Sequence, residues 1–448
     1  MKPIDAGVLI DSGPWSTYQK LLTFLAALAI IIDGFDIQIL AFAIPSLMKE
    51  WHAARSAFAP VLALGLAGMA IGGPIAGYVG DHFGRRFALI GCVTFFGMAT
   101  AATAFVDSVA ALAVLRFLTG MGAGGAVPNA GALTAEFAPA RRRAVAVKLT
   151  IICIPLGGML GGMIAAKVLP LHGWRTLYLI GGATPLLFAL VLLLLLPESP
   201  RFLAQRPAGW SKLANFLRRL GHSVPEDSSF VESGSGSGQS AGRVTVGELF
   251  SRGFLRDTTG LWIAFFCCMS SIYLVFGWLP TLLSTMGLDV AAASSGLATY
   301  NLGGVLGVLI WAVLTTMMGS RIPLISGGFA AALSALAILL VPIETGQRHL
   351  LLAALGLHGL LIQAVQTSMF ALAAHVYPTR VRASGVACAA TAGRVGGILS
   401  SLFGSLIIGG GASAYWGSIA IALIGSCYGL AIVRRHIPAP EKIRRELS

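Results

Sequence analysis

Apolar residues run almost unbroken from Leu21 to Ile32, and similar stretches recur along the whole chain, separated by short polar turns. A helix that crosses a bilayer needs roughly 20 mostly apolar residues, a rule that predicts about twelve spans here. They fall near 20–46, 58–79, 87–105, 109–134, 145–168, 176–196, 258–284, 292–318, 323–342, 349–374, 384–408 and 415–433. One long polar stretch interrupts the series. Residues 197–256 hold "WSKLANFLRRL", with amphipathic spacing, and "ESGSGSGQSAG", a flexible Gly/Ser linker. The pattern divides the chain into a six-helix half over 1–196, a cytoplasmic central loop over 197–256 and a second six-helix half over 257–448.

The two halves resemble each other. Pro139 of "EFAPARRRA" and Pro378 of "HVYPTRVRA", Gly157 and Gly396, and Gly80 and Gly319 all stand 239 residues apart. A parallel repeat of two six-span halves is an architecture of secondary transporters, whose substrate site lies near mid-membrane between the halves.

Composition sharpens the membrane reading. Of 448 residues 56% are hydrophobic and only 11% charged, with a mean hydropathy of +0.82, too little charge to cover a water-facing surface. The net charge of +13 would fit a nucleic-acid partner only if the basic residues shared a face. With the N-terminus placed inside, most of the 31 Lys and Arg residues instead fall on the cytoplasmic side, leaving Lys49, Arg55, Lys167, Arg175 and Arg348 outside. Such asymmetry orients a membrane protein with both termini in the cytoplasm. No nucleic acid is expected. The first twenty residues lack the apolar centre of a cleaved signal peptide, so the first span serves as its own insertion signal. The six cysteines lie in apolar stretches without C-x-x-C spacing and read as packing residues; no metal or cofactor is expected.

The loop after the second span reads "GYVGDHFGRR" (77–86), where Asp81, Arg85 and Arg86 can bond helix ends together. It resembles the G-x-x-x-D-R-x-G-R-R signature of the major facilitator superfamily, with His82 in place of the usual arginine. "PESPR" (197–201) and "EFAPARRR" (136–143) resemble that superfamily too, and with the repeat the likeness covers nearly the whole chain. "DGFD" (33–36), "GRVGG" (393–397) and "YPTRVRASG" (377–385) are similar to its aromatic acid:proton symporter family. The resemblance implies an all-α integral membrane protein with the major facilitator fold, in a bacterial inner membrane, importing benzoate-like and hydroxybenzoate-like anions with protons. The second-half loop "GSRIP" (319–323) departs from the pattern by lacking an acidic residue.

Buried charge marks the expected site. Asp33 and Asp36 are three apart on one helix face, where a charge at mid-bilayer costs about 2.5–3.5 kcal/mol. Desolvation and a second carboxylate both favour the protonated acid, so the pair is expected to line a cavity and carry the coupled proton. Arg116 and Arg394 are the intramembrane cations, and guanidinium grips a carboxylate in a bidentate fork. Gln363, Gln366, Tyr300, Asn301 and Tyr273 are candidate polar contacts, and Phe35 and Trp278 candidate ring-stacking partners. A packing role remains open for each of them, as does an ion pair with the aspartates for either arginine. His358 reads as structural. Asp81, Arg85, Glu136 and Arg142 are expected to act in gating at the cytoplasmic helix ends.

The expected partners are a small aromatic acid anion, protons and the lipid bilayer, with the protein acting as a monomer. The alternative is a major facilitator carrier for another organic anion or a sugar. A drug antiporter fits less well, because "IPLGGM" (154–159) lacks the G-P-x-x-G-G of such proteins. No nucleophile–base set or ligand cluster suggests an enzyme, and the central loop is too short for a signalling domain.

Overall fold

The computed structural model describes residues 4–225, 228–231, 249, 251, 253–341, 348–378 and 381–439. Much of the Gly/Ser stretch in the central loop, Thr379 and Arg380 therefore lie outside the described residues. In the first half, a short α1 (Ala6–Ser12) precedes α2 (Thr17–Glu50), α3 (Ala59–Phe83), α4 (Arg85–Thr103), α5 (Val109–Phe137) and α6 (Ala140–Leu195). The connecting segment forms α7 (Pro200–Ala204) and α8 (Trp210–Arg219). The second half contains α9 (Leu255–Thr285), α10 (Val290–Met318), α11 (Arg321–Ile338), α12 (Arg348–Val376), α13 (Arg382–Gly409) and α14 (Gly411–Ile432).

Eleven of these helices are long and apolar enough to cross a membrane. The 56-residue α6 would be far longer than a bilayer is thick at 1.5 Å per residue. Its helical geometry breaks at Gly173, at φ +73°, and both Gly161 and Gly181 face the ring of Phe35. The chain folds back there, so α6 supplies two crossings and the described helices make twelve. That matches the number and order of the predicted spans.

The sequence sets local details. Ser16 and Gln19 form a reciprocal capping box that starts α2 at Thr17, ahead of the apolar run. The central helices approach closely through glycine. A side chain on Gly157 would strike the backbone of Ile31 and Gly34 on α2, and one on Gly396 would strike Phe266 on α9. These positions are 239 apart, so the repeat read in the sequence is a repeat of helix crossings: α6 on α2 and α13 on α9.

The loop correspondence differs by one helical turn. Gly319 has φ +76° and caps α10, but its counterpart in conformation is Gly84, at φ +107° between α3 and α4, rather than Gly80. A left-handed backbone at the tight reversal requires glycine at both places, and that requirement overrides the 239-residue spacing.

The halves meet toward the end of the bundle opposite the termini. Gln38 and Asn301 exchange two side-chain hydrogen bonds, 3.2 and 2.8 Å, linking α2 to α10. Gly162 lies against Ala298, Gly277 against Leu62, and Gly409 near Arg55. One apolar core spans both halves there. On the side of the termini, the first half has its own core, built from α1, α2 and α4 to α8 without any residue of the second half. The bundle is thus sealed across its halves at one end and divided at the other.

Candidate functional site

The "DGFD" motif sits in the middle of α2, where Gly34 passes α6 in close contact. Both carboxylates are buried, Asp33 at 0% and Asp36 at 2% exposure, but their surroundings differ. Asp36 accepts a hydrogen bond from the Thr100 hydroxyl at 2.5 Å. Its Oδ2 lies 3.7 Å from Arg116 Nη1, which donates to the Asp36 backbone carbonyl at 3.1 Å. The Arg116 guanidinium also lies 5.2 Å from the centre of the Tyr178 ring, a cation–π contact. Arg116 Nε and Nη2 have no hydrogen-bond partner among the described residues. Neither oxygen of Asp33 has one among the described residues.

A cavity of about 50 Å³ opens beside this cluster, between α2, α3, α5, α9 and α13. Asp36, Arg116, Thr119, Tyr273 and Ser401 give it polar character; Leu40, Val61, Leu66, Met69 and Phe276 are among its apolar walls. Arg116, Thr119, Gly120 and Ala123 fall at helical spacing on one face of α5. The site is a small, mostly apolar cavity with one buried cation and a few hydroxyls, a combination that can hold a carboxylate beside an apolar group.

The sequence placed both aspartates on a cavity wall. The structure puts Asp36 there, whereas Asp33 lies one turn away and lines no part of it. Arg116 reaches the cavity. Arg394 on α13 does not; it is half-buried and has no ion pair or hydrogen bond among the described residues. Phe35 turns away, its ring wedged between Gly161 and Gly181. Trp278 is packed against Gly404 and donates its indole N–H to the Ser401 carbonyl at 3.1 Å, so it joins α9 to α13 instead of stacking on a ligand. Tyr300 is fully buried behind Phe276, ring centres 6.0 Å apart. Gln363 fills the space over Gly304 between α10 and α12. These four were selected as aromatic or amide residues in apolar helices, and burial within one half explains each of them. Asn301 is committed to Gln38, and Gln366 contacts Met269. His358 stands 2.9 Å from the Ser334 hydroxyl, inside the second half.

Thr100, Tyr178, Thr119 and Phe276 were missed. Thr100 and Tyr178 carry no local signal, because their roles depend on helices that meet only in the fold. Thr119 does have one, standing three residues after the intramembrane Arg116.

At the helix ends, Asp81 pairs with Arg85 at 2.5 Å, and Arg85 Nη1 donates to Asn129 at 3.4 Å. The Arg86 amide and guanidinium donate to Glu198 Oε1 at 2.9 Å and to the Leu193 carbonyl at 2.6 Å. Ser199 donates to Glu136. "GDHFGRR", "EFAPARRR" and "PESPR" are therefore one network. Arg142 is exposed with no side-chain partner among the described residues; the neighbouring Arg143 is the one held, by Asp11 and by the Ala135 carbonyl at 2.7 Å. The helix start at Ala140 turns Arg143, not Arg142, toward α1. In the second half, where "GSRIP" has no acid, the chain after α14 fills the place: Ser320 N–H donates to the Ile437 carbonyl at 3.0 Å. Ile437 stands 239 residues after Glu198, so a backbone carbonyl replaces a carboxylate.

Residues 26–346 and 261–447 match the Major Facilitator Superfamily. A gallate transporter of Pseudomonas putida is 36% identical over 406 residues, 91% of this chain and 89% of that protein. A 4-hydroxybenzoate transporter of Acinetobacter baylyi is 34% identical over 417 residues, 91% of this chain and 88% of that one. Among solved structures, a D-xylose–proton symporter superposes with a TM-score of 0.73 at 19% identity, covering 94% of this chain and 99% of its own. The xylose transporter of E. coli in its inward-open conformation gives 0.72 at 18% identity, covering 96% and 99%.

Proposed function

The chain belongs to the major facilitator superfamily, and from that membership we propose that it imports a small aromatic carboxylate together with a proton by alternating access. The observation that carries this reading is the charge arrangement around the cavity. Arg116 faces it with two nitrogens that have no hydrogen-bond partner among the described residues, and its buried counter-ion Asp36 stands one turn from a second carboxyl, Asp33, which has none there either. A bare carboxylate in a dry site is costly unless it is paired or protonated. An entering anion adds one negative charge beside Arg116, and a proton on Asp33 or Asp36 cancels it. The loaded site then has the same net charge as the empty one, so closing around it moves no extra charge into low dielectric. The relatives named for gallate and 4-hydroxybenzoate supply the substrate class.

The test is uptake of radiolabelled gallate, 4-hydroxybenzoate, benzoate and xylose into proteoliposomes with an alkaline interior. Aromatic acids should accumulate and xylose should not. Uptake that ignores the pH gradient, or that favours the sugar, overturns the reading.

The proposed orientation places both termini and the 197–256 loop in the cytoplasm of a bacterial inner membrane, as the Lys/Arg distribution supports. The end sealed across the halves is then the outer one, an inward-facing arrangement. A cysteine introduced at Asp289 should react with an impermeant reagent on intact cells, and one at position 235, outside the described residues, should not. The reverse labelling would invert the topology.

Gating is assigned to the network of Asp81, Arg85, Glu136 and Glu198, which ties helix ends of one half together on that inner side. Glu198→Gln and Arg85→Gln should slow transport several-fold while substrate affinity in detergent stays within about twofold, because the bonds bias the two states without touching the cavity. A large loss of affinity would place them in the substrate site. Monomeric function is part of the same proposal, and light scattering of the detergent-solubilised protein tests it.

A further inference from the structure

Thr119 is 1% exposed and lines the cavity, and its hydroxyl has no hydrogen-bond partner among the described residues. A helical threonine normally returns its hydroxyl to the carbonyl four residues back. Thr23, Thr103, Thr150 and Thr299 all do so in this chain. Thr119 does not, so a donor and acceptor is left unused in a site where an unmet polar group is costly. It also stands one turn from Arg116 on the same face of α5, where residues three apart lie about 5–6 Å from each other. A ring whose carboxylate rests on Arg116 therefore passes Thr119 along its edge.

We propose that Thr119 reads a hydroxyl substituent on the aromatic ring, making the site selective for hydroxylated acids over unsubstituted benzoate. The inference rests on the aromatic-acid reading given above, in which the named relatives already carry hydroxylated acids, and adds to it the residue that meets the hydroxyl. The substrate's O–H or its oxygen completes the bond that the fold leaves open, while benzoate enters the same cavity and leaves Thr119 unpaired. Sites that hydrogen-bond a substrate hydroxyl reject the analogue lacking it more strongly than apolar pockets reject an added group. The surrounding Leu66, Met69 and Phe276 give an unsubstituted ring nothing in exchange.

The experiment measures binding of 4-hydroxybenzoate, gallate and benzoate to purified wild type, Thr119→Val and Thr119→Ser. Valine keeps the shape and removes the hydroxyl; serine keeps the hydroxyl. Thr119→Val should lose about tenfold in affinity for the hydroxylated acid it prefers, the scale of one buried hydrogen bond, with benzoate unchanged or bound better. Thr119→Ser should retain the preference. An equal change for hydroxylated and unsubstituted acids, or no change for either, overturns the role of Thr119 and leaves the aromatic-acid reading standing. Failure of the wild type to bind any of the three overturns that reading, and this one with it.

Discussion

Asp33→Asn is expected to keep substrate exchange and to lose accumulation against a gradient. One proton moving with one anion makes transport electroneutral, and each unit of pH difference, 1.36 kcal/mol, then supports about tenfold accumulation. Wild-type proteoliposomes should follow that slope, and Asp33→Asn should level off at an inside-to-outside ratio near one at every gradient. The two variants should differ, because the surroundings of the two aspartates differ. Asp33 has no hydrogen bond among the described residues to lose, and an amide of the same shape is cheaper to bury than an unpaired carboxylate. The cavity it does not line should still bind and exchange substrate. Asp36→Asn should also stop accumulation, but it removes the counter-ion of Arg116 and so disturbs binding as well. Measuring counterflow beside gradient-driven uptake in each variant separates these effects. Accumulation in both variants with the wild-type dependence on pH would mean that the proton travels elsewhere.

The asymmetry between the two carboxyls shows where sequence reasoning reaches and where it stops. The twelve crossings, the two halves and the importance of "DGFD" follow from hydropathy, spacing and the cost of burying charge, all local properties of the chain. The crossing of α6 on α2 was not legible: Gly157 and Gly396 share the repeat spacing, but that the contact they permit is with α2 and α9 appears only in the fold. Nor were the partners. Thr100 bonds Asp36 from 64 residues away and Asn301 bonds Gln38 from 263 away, and in an apolar helix no neighbouring residue announces such a contact. Phe35 and Trp278 failed as ring-stacking partners for the same reason. An aromatic side chain in a membrane helix can face a cavity, a neighbouring helix or lipid, and rotation of the helix decides among them. Rotation is set by packing, as where Gly161 and Gly181 make room for Phe35. The gating loops were half legible: their motifs were recognisable one by one, but their union through Glu198 depends on the second limb of α6 ending beside α4.

Arg116→Gln should have the largest effect, on binding and on stability together. The wild-type side chain is 5% exposed, bonded to the Asp36 carbonyl, paired with its carboxylate and seated against Tyr178. Removing one member of a buried pair strands the other, at a cost of about 3–5 kcal/mol, so the melting temperature in detergent should fall steeply. The same change removes the fork proposed to meet the substrate carboxylate, where charge-assisted bonds contribute about 1.5–3 kcal/mol each; affinity should fall by about a hundredfold or more. The double variant Asp36→Asn/Arg116→Gln tells the two losses apart. With neither charge left stranded, most of the stability should return, because a neutral amide pair of similar size needs no counter-ion. Binding should not return, because the anion still finds no cation in the cavity. Arg116→Lys should fall between, holding Asp36 by charge while offering a single point where a planar fork is needed. If Arg116→Gln binds aromatic acids with wild-type affinity, the carboxylate rests on another cation, and Arg394, half-buried and without an ion pair among the described residues, becomes the residue to replace.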